Sequence, residues 1–362
     1  MDYSRRRKTL SLALSKKKLG GFLATSPESR RYLSGFTAED LGCKESSGIL
    51  LVLRDEAYLF TDGRYDLQAK EETSGINIVV CKNGLHKAIA KILKHVNVKR
   101  IGFEASSINV RLFTKIKVTC KNIEFIEYDD LILTYRLQKE PEEIELIRRS
   151  VEVGELCFKK ALSRLGPGMT EREASVIILE NIYKYSEGPS FPPIVASGPN
   201  AALPHAIPQD RIIKENEPVI IDMGVKIEGY ASDMTRTIFF GEPTDKFKEI
   251  YACVKEAKET AQKAIRAGMT GRDADHIARA KIKEHGFGNY FVHGLGHGVG
   301  LSVHEPPNLS PRYRRRLHTN SVVTVEPGIY IPGEGGVRLE DMVVIKEDGV
   351  ELLGSGRWIY DF

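Results

Sequence analysis

The sequence predicts an α+β chain of two domains, a smaller N-terminal α/β domain over residues 1–130 and a larger one over residues 131–362. Three observations predict it. Short strand-like runs alternate with helical ones through the first third, the pattern of helices packed on a mixed sheet. Around residues 125–145 the composition becomes densely charged, with Pro141 placed at a helix start. Beyond it, a short segment centred on Gly168 is echoed at Gly268, which marks an internal repeat. A length of 362 residues suits two domains better than one.

The first element is a helix. Leu10 and Leu14 share one face, and Arg5, Arg6, Arg7, Lys8, Lys16, Lys17 and Lys18 are expected on a solvated basic face. The basic run also has the look of an organelle transit peptide, but it leads without a spacer into an apolar strand over residues 21–24. Residues 48–53 and 57–60 flank a polar Arg54-Asp55-Glu56 turn and read as a hairpin. Residues 76–80 and 100–103 read as further strands, and residues 86–95 between them carry apolar side chains at helical spacing.

Pro141, followed by Glu142 and Glu143, opens a long helix, since proline costs no hydrogen bond in the first turn and acids suit the helix dipole there. In each copy of the repeat a helix leads into Gly-Met-Thr, and Thr170 or Thr270 caps a new helix with Glu173 or Asp273 three residues on. A period this long is no solenoid. It predicts two related halves about a pseudo-twofold axis, with a cleft between them.

Composition narrows the function. With 41% hydrophobic and 28% charged residues the chain is an ordinary globular one, and no window approaches the roughly 18 apolar residues of a membrane span. A net charge of +4 makes no case for nucleic acid. The cysteines, Cys43, Cys81, Cys120, Cys157 and Cys253, are odd in number and scattered, so neither a disulfide framework nor a thiolate zinc site is expected. A cytoplasmic protein fits these features.

Five residues then stand out. Asp222 follows three β-branched residues, a poor strand position unless something compensates its buried charge. A turn near Lys226 to Gly229 would set Asp222 and Asp233 nearly opposite each other. A second hairpin, turning at Gly333, would oppose Glu326 and Glu340 in the same way. Opposed like charges destabilise a sheet, and a cation between them reverses the sign. His297, among glycines that let backbone approach closely, is the fifth. Two divalent ions would cancel four carboxylates, and oxygen donors with one imidazole suit Mn²⁺, Co²⁺ or Zn²⁺. Such a pair, about 3.5–4 Å apart, can acidify a bridging water, which is hydrolytic machinery.

The order Asp222, Asp233, His297, Glu326, Glu340, within IDMG, SDMTRT, GHGVG, VEPGIY and GVRLED, resembles the pita-bread metallopeptidases, closest to the proline-specific branch of aminopeptidase P and the Xaa-Pro dipeptidases, or prolidases. Residues 27–36 and 61–65 resemble that branch's creatinase-type N-terminal domain, which methionine aminopeptidases usually lack. The resemblance implies a pita-bread catalytic domain over 131–362 and a creatinase-type domain over 1–130. It implies Asp222 on one metal, Asp233 and Glu340 bridging two, and His297 and Glu326 completing the shells, with manganese the first choice. A metal-bridging hydroxide would attack the Xaa-Pro bond while Glu326 accepts the proton. His205, His293 and His304 would handle substrate, His304 at the scissile carbonyl, and Arg338 would hold a carboxylate of the protein or of the substrate. The expected enzyme is an Xaa-Pro aminopeptidase acting on proline-containing peptides as a homodimer, with neither nucleic acid nor membrane as partner. A dipeptidase is the alternative. A non-catalytic peptide-binding module on the same fold would be expected to lack one of the five ligands, and all five positions are filled.

Overall fold

The computed structural model describes residues 1–40, 45–357 and 359–362. Cys43 lies outside the described residues; Cys81, Cys120, Cys157 and Cys253 are free thiols. The chain divides into two compact units, Met1–Tyr135 and Arg136–Phe362. The boundary expected after residue 130 falls at the start of a helix, Asp130–Arg136.

The first unit is built on a six-stranded mixed sheet, ordered Asn77–Val80, Ala57–Thr61, Ile49–Leu53, Gly21–Ala24, Arg100–Phe103, Glu124–Glu127. The expected hairpin pairs antiparallel with Ile49 opposite Phe60, and the outer strands join in parallel. Leu23, Leu51, Phe60, Ile101 and Phe103 form a core with Ile89 and Leu93 of helix Leu85–His95.

The first helix, Tyr3–Lys16, corrects one expectation. Leu10 and Leu14 are buried as predicted, but Arg6 and Arg7 are buried with them. Arg6 donates to Tyr32 O at 3.1 Å and Arg7 to Leu33 O at 2.9 Å. Both carbonyls close helix Pro27–Ser34, whose C-terminal end has unpaired acceptors and partial negative charge, so the two guanidiniums find acceptors inside rather than in solvent.

In the second unit the repeat extends to backbone detail. Helices Pro141–Leu162 and Glu171–Tyr185 form the first pair, Asp245–Ala264 and Gly271–Glu284 the second. Thr170 with Glu173, and Thr270 with Asp273, close matching capping boxes. Gly168 and Gly268 take φ of +92° and +85°, which glycine adopts without cost. Their N–H groups donate to Ile213 O and Leu317 O, both at 2.9 Å. Each helix pair covers its own sheet. The first sheet has Pro218–Met223 between Ile194–Ser197 and Met234–Phe239; the second has five antiparallel strands including Gly296–Gly298, Val322–Val325 and Asp341–Ile345. Each half has an apolar core of its own, around Ile178 and Ile221 and around Val254 and Val323.

Candidate active site

The acids stand where the two halves are joined. Asp222 lies near the end of strand Pro218–Met223 and pairs with Thr235, not with Asp233. The expected opposition of Asp222 and Asp233 is therefore off by two residues. The reason is the turn: Ile227 pairs with Tyr230, so only Glu228 and Gly229 make it, and their φ of +45° and +71° fit a type I′ hairpin. A shift of two keeps both acids on one face as diagonal neighbours. In the other hairpin Gly328 pairs with Arg338 and Val325 with Asp341, a register that sets Glu326 across from Glu340 as expected.

Hydroxyls stitch the hairpins together. Thr235 Oγ1 donates to Glu340 Oε2 at 2.7 Å, and Glu340 N–H donates to Thr235 O at 3.1 Å. His297 comes from strand Gly296–Gly298, where any side chain on Gly296 would collide with the Thr324 carbonyl. Its N–H donates to Thr324 Oγ1 at 3.1 Å, and Thr324 Oγ1 donates to Glu326 Oε1 at 3.1 Å.

The tautomer of His297 follows from its contacts. Nδ1 faces Gly298 O at 3.2 Å, and a carbonyl only accepts, so Nδ1 carries the hydrogen. Nε2 then faces Glu326 Oε1 at 3.3 Å and Asp233 Oδ2 at 3.6 Å, an arrangement that needs a proton or a cation between them. Atoms of Asp233, His297 and Glu340 lie within 4.8 Å of one another.

The electrostatics point the same way. Burial, then the neighbouring carboxylates, push Asp233 and Glu340 well above the usual carboxylate range. Burial also raises Asp222, although Arg338 opposes it. Burial pushes Glu326 upward too, but His297 outweighs it and holds Glu326 down at about 2. Asp222 Oδ1 and Glu340 Oε1 are buried without a hydrogen-bond partner. Unpartnered oxygens, crowded acids and an imidazole fixed by a carbonyl together fit divalent cations.

All nine residues singled out in the sequence line one cleft of about 390 Å³. Arg338 holds the carboxylate of Asp222, with Nη2 at 2.7 Å from Oδ2, while Nε donates to Thr235 Oγ1 and Nη1 to Pro204 O and Tyr330 Oη. His293 donates from Nδ1 to Gly294 O at 2.7 Å, leaving Nε2 to accept from Tyr330 Oη at 2.8 Å. Burial lowers the His293 pKa and lifts Tyr330 to about 12. The His304 ring lies against that of His297, centroids 4.2 Å apart, and His205 is exposed at the rim. Sequence reasoning missed Tyr330, Thr235, Thr324 and the wall formed by Phe191 and Ile194. Only the hydroxyls of Thr235 and Thr324, each two residues from an acid, Asp233 and Glu326, were there to be read.

Comparison with known proteins agrees with this geometry. The profile of metallopeptidase family M24 matches residues 145–347, and that of the creatinase/prolidase N-terminal domain matches residues 6–138. The chain belongs to family M24. It is a two-domain metallopeptidase with a creatinase-type domain ahead of a pita-bread domain. An Xaa-Pro dipeptidase of Pyrococcus furiosus is 40% identical to this M24 peptidase over 84% of the chain and 86% of the relative. The structure of an Xaa-Pro dipeptidase from Bacillus anthracis superposes with a TM-score of 0.91 at 36% identity, covering 97% of both chains. That of an X-Pro aminopeptidase from Thermotoga maritima gives a TM-score of 0.85 at 37% identity, covering 93% of this chain and 96% of the other.

Proposed function

We propose that this M24 peptidase hydrolyses the bond between an N-terminal residue and proline, with Xaa-Pro dipeptides as its leading substrates. The hydrolytic part is carried by one observation, the convergence of Asp222, Asp233, His297, Glu326 and Glu340 on a cleft with two buried carboxylate oxygens left unpartnered. Proline selectivity is supported by the names of the relatives. The sequence alone leaned to the aminopeptidase; the dipeptidases from P. furiosus and B. anthracis move the leading reading to dipeptides.

Those five residues would hold two divalent ions, Mn²⁺ before Co²⁺ or Zn²⁺ on the oxygen-rich donor set. When bound, such a pair supplies Lewis acidity and lowers the pKa of water. The chain's own groups then divide the work. Glu326 would accept the proton of the attacking water. His304 donates a hydrogen bond to the scissile carbonyl as charge develops on its oxygen. Arg338 keeps Asp222 in place, and His293 and His205 border the leaving group. An Xaa-Pro bond has no N–H to recognise, so selection falls to shape, and Phe191 and Ile194 offer an apolar wall for the pyrrolidine ring.

One observation favours longer peptides as a second reading. Arg338 is the one guanidinium among the described residues lining the cleft, and its nitrogens are engaged by Thr235, Pro204, Tyr330 and Asp222. Among the described residues lining the cleft, no other arginine or lysine is present to take a substrate C-terminus. We place the enzyme in the cytosol as a homodimer; Cys120, Cys157 and Cys253 are buried free thiols, which suits a reducing compartment. Hydrolysis of Ala-Pro against Ala-Pro-Ala tests the assignment. Cleavage of the dipeptide alone supports a dipeptidase, equal cleavage of both supports the aminopeptidase, and cleavage of neither overturns the proline reading.

A further inference from the structure

A second ionic cluster lies beside the cleft, outside the proposed ligand set. Glu305 opens strand Glu305–Leu309 with its side chain 2% exposed. Lys139 Nζ sits 2.9 Å from its Oε1, and Arg136 pairs with its Oε2; the two cations are 1% and 5% exposed. Burial pushes the Glu305 carboxyl upward, but Arg136 and then Lys139 outweigh it and hold it below its ordinary value. Burying three charges is expensive, and an apolar cluster would pack as well, so stability alone does not account for them.

The residue before Glu305 is His304. Its ring rests against His297, yet among the described residues no hydrogen bond to either ring nitrogen fixes its direction. The backbone beneath must do so. Gly298 pairs with Glu305 and closes the loop between them, and Gly300 O accepts from Ala231 N–H at 2.8 Å. Ser302 N–H points back to Glu305 Oε2 at 3.4 Å, and a side chain on Gly300 would run into the Glu305 carboxylate. The loop is wrapped around its own anion.

We propose that Glu305, held between Arg136 and Lys139, is the positioning residue that aims His304 at the substrate. The inference rests on the reading of His304 as a substrate-facing group. Two buried cations anchor the carboxylate, the carboxylate fills the loop, and the loop presents the imidazole.

A double-mutant cycle on the metal-loaded enzyme tests this. Glu305→Gln removes the charge. Gly300→Ala displaces the carboxylate with all three charges kept, and so serves where the first variant does not fold. Either change is expected to lower kcat about ten- to a hundredfold, the scale of a misplaced catalytic group, with KM and metal content unchanged. In a His304→Ala background the same changes should add less than about twofold, because residues acting through one another are not additive. In metal-free protein the His304 ring ¹⁵N resonance should shift in both variants. Equal losses in both backgrounds, or lost metal, overturn the inference. A His304→Ala enzyme with unaltered kcat overturns the reading of His304 itself, and the inference with it.

Discussion

Arg338 Nη2 donates to Asp222 Oδ2 at 2.7 Å, while the other carboxylate oxygen, Oδ1, stays buried and unpartnered. The arginine thus engages one oxygen of Asp222 and leaves the other without a hydrogen bond. It does so while fully buried among Thr235, Tyr330 and Pro204, which hold the guanidinium plane in turn.

Replacing Arg338 by lysine keeps the charge but loses the planar fork that reaches four acceptors. Metal affinity or kcat should fall about 10–100-fold, as for other groups that orient a ligand. Competition titration with a metal indicator, read beside kcat, checks this; an Arg338→Lys enzyme equal to the parent in both would count against the assignment.

Glu326→Gln keeps the shape and removes the proposed proton acceptor. A loss in kcat of about 10²–10⁴-fold is expected, the usual contribution of a general base. Steady-state kinetics decide it, with circular dichroism confirming an unchanged fold.

Thr235 serves both hairpins, donating to Glu340 Oε2 and accepting from Arg338 Nε at 3.1 Å. Thr235→Val leaves both partners buried and short of a hydrogen bond, at a cost of about 1–3 kcal/mol each. A clearly lowered thermal midpoint is the expected result; an unchanged one would show the hydroxyl to be dispensable.

The metal-free protein should depend on pH in an unusual sense. Asp233 and Glu340 are raised well above, and Asp222 above, their ordinary values of 3.8, 4.5 and 3.8. In the window above those values the folded state holds protons that the unfolded chain has released, so stability falls as pH rises. Stripped protein should therefore gain stability as pH drops from neutrality toward that range. Below it the sign reverses, because Asp341, held at about 2 by Arg236 and Lys258 against the push of burial, contributes stability that is lost as it protonates. Metal bound at the proposed site would displace protons from the same groups. The gap in melting temperature between loaded and chelator-treated protein should narrow from pH 8 to pH 5, and a gap independent of pH would contradict the crowding of these acids.

Much of this was legible in the sequence because it depends on local rules. Pro141, Thr170 and Thr270 announce their helices through caps. The Glu326–Glu340 register follows from a glycine turn at the centre of the hairpin, with Ile331 opposite Gly335. What was hidden depends on tertiary partners. The turn at Glu228–Gly229 put a non-glycine residue at positive φ, which shifted Asp233 by two positions. Arg6 and Arg7 are cations by composition, and only the nearby end of helix Pro27–Ser34 makes them interior residues. Tyr330 closes the VEPGIY run and Glu305 directly follows His304, but nothing in the sequence states their roles, which arise from what lies opposite in the fold.

Metal counting joined to activity tests the central claim most directly. After loading with Mn²⁺ and gel filtration, elemental analysis should find two ions per chain in a protein that cleaves Ala-Pro, and Asp233→Ala should lose both metal and activity. A parent protein that retains no metal, or an Asp233→Ala protein that keeps two ions and full activity, would contradict the account.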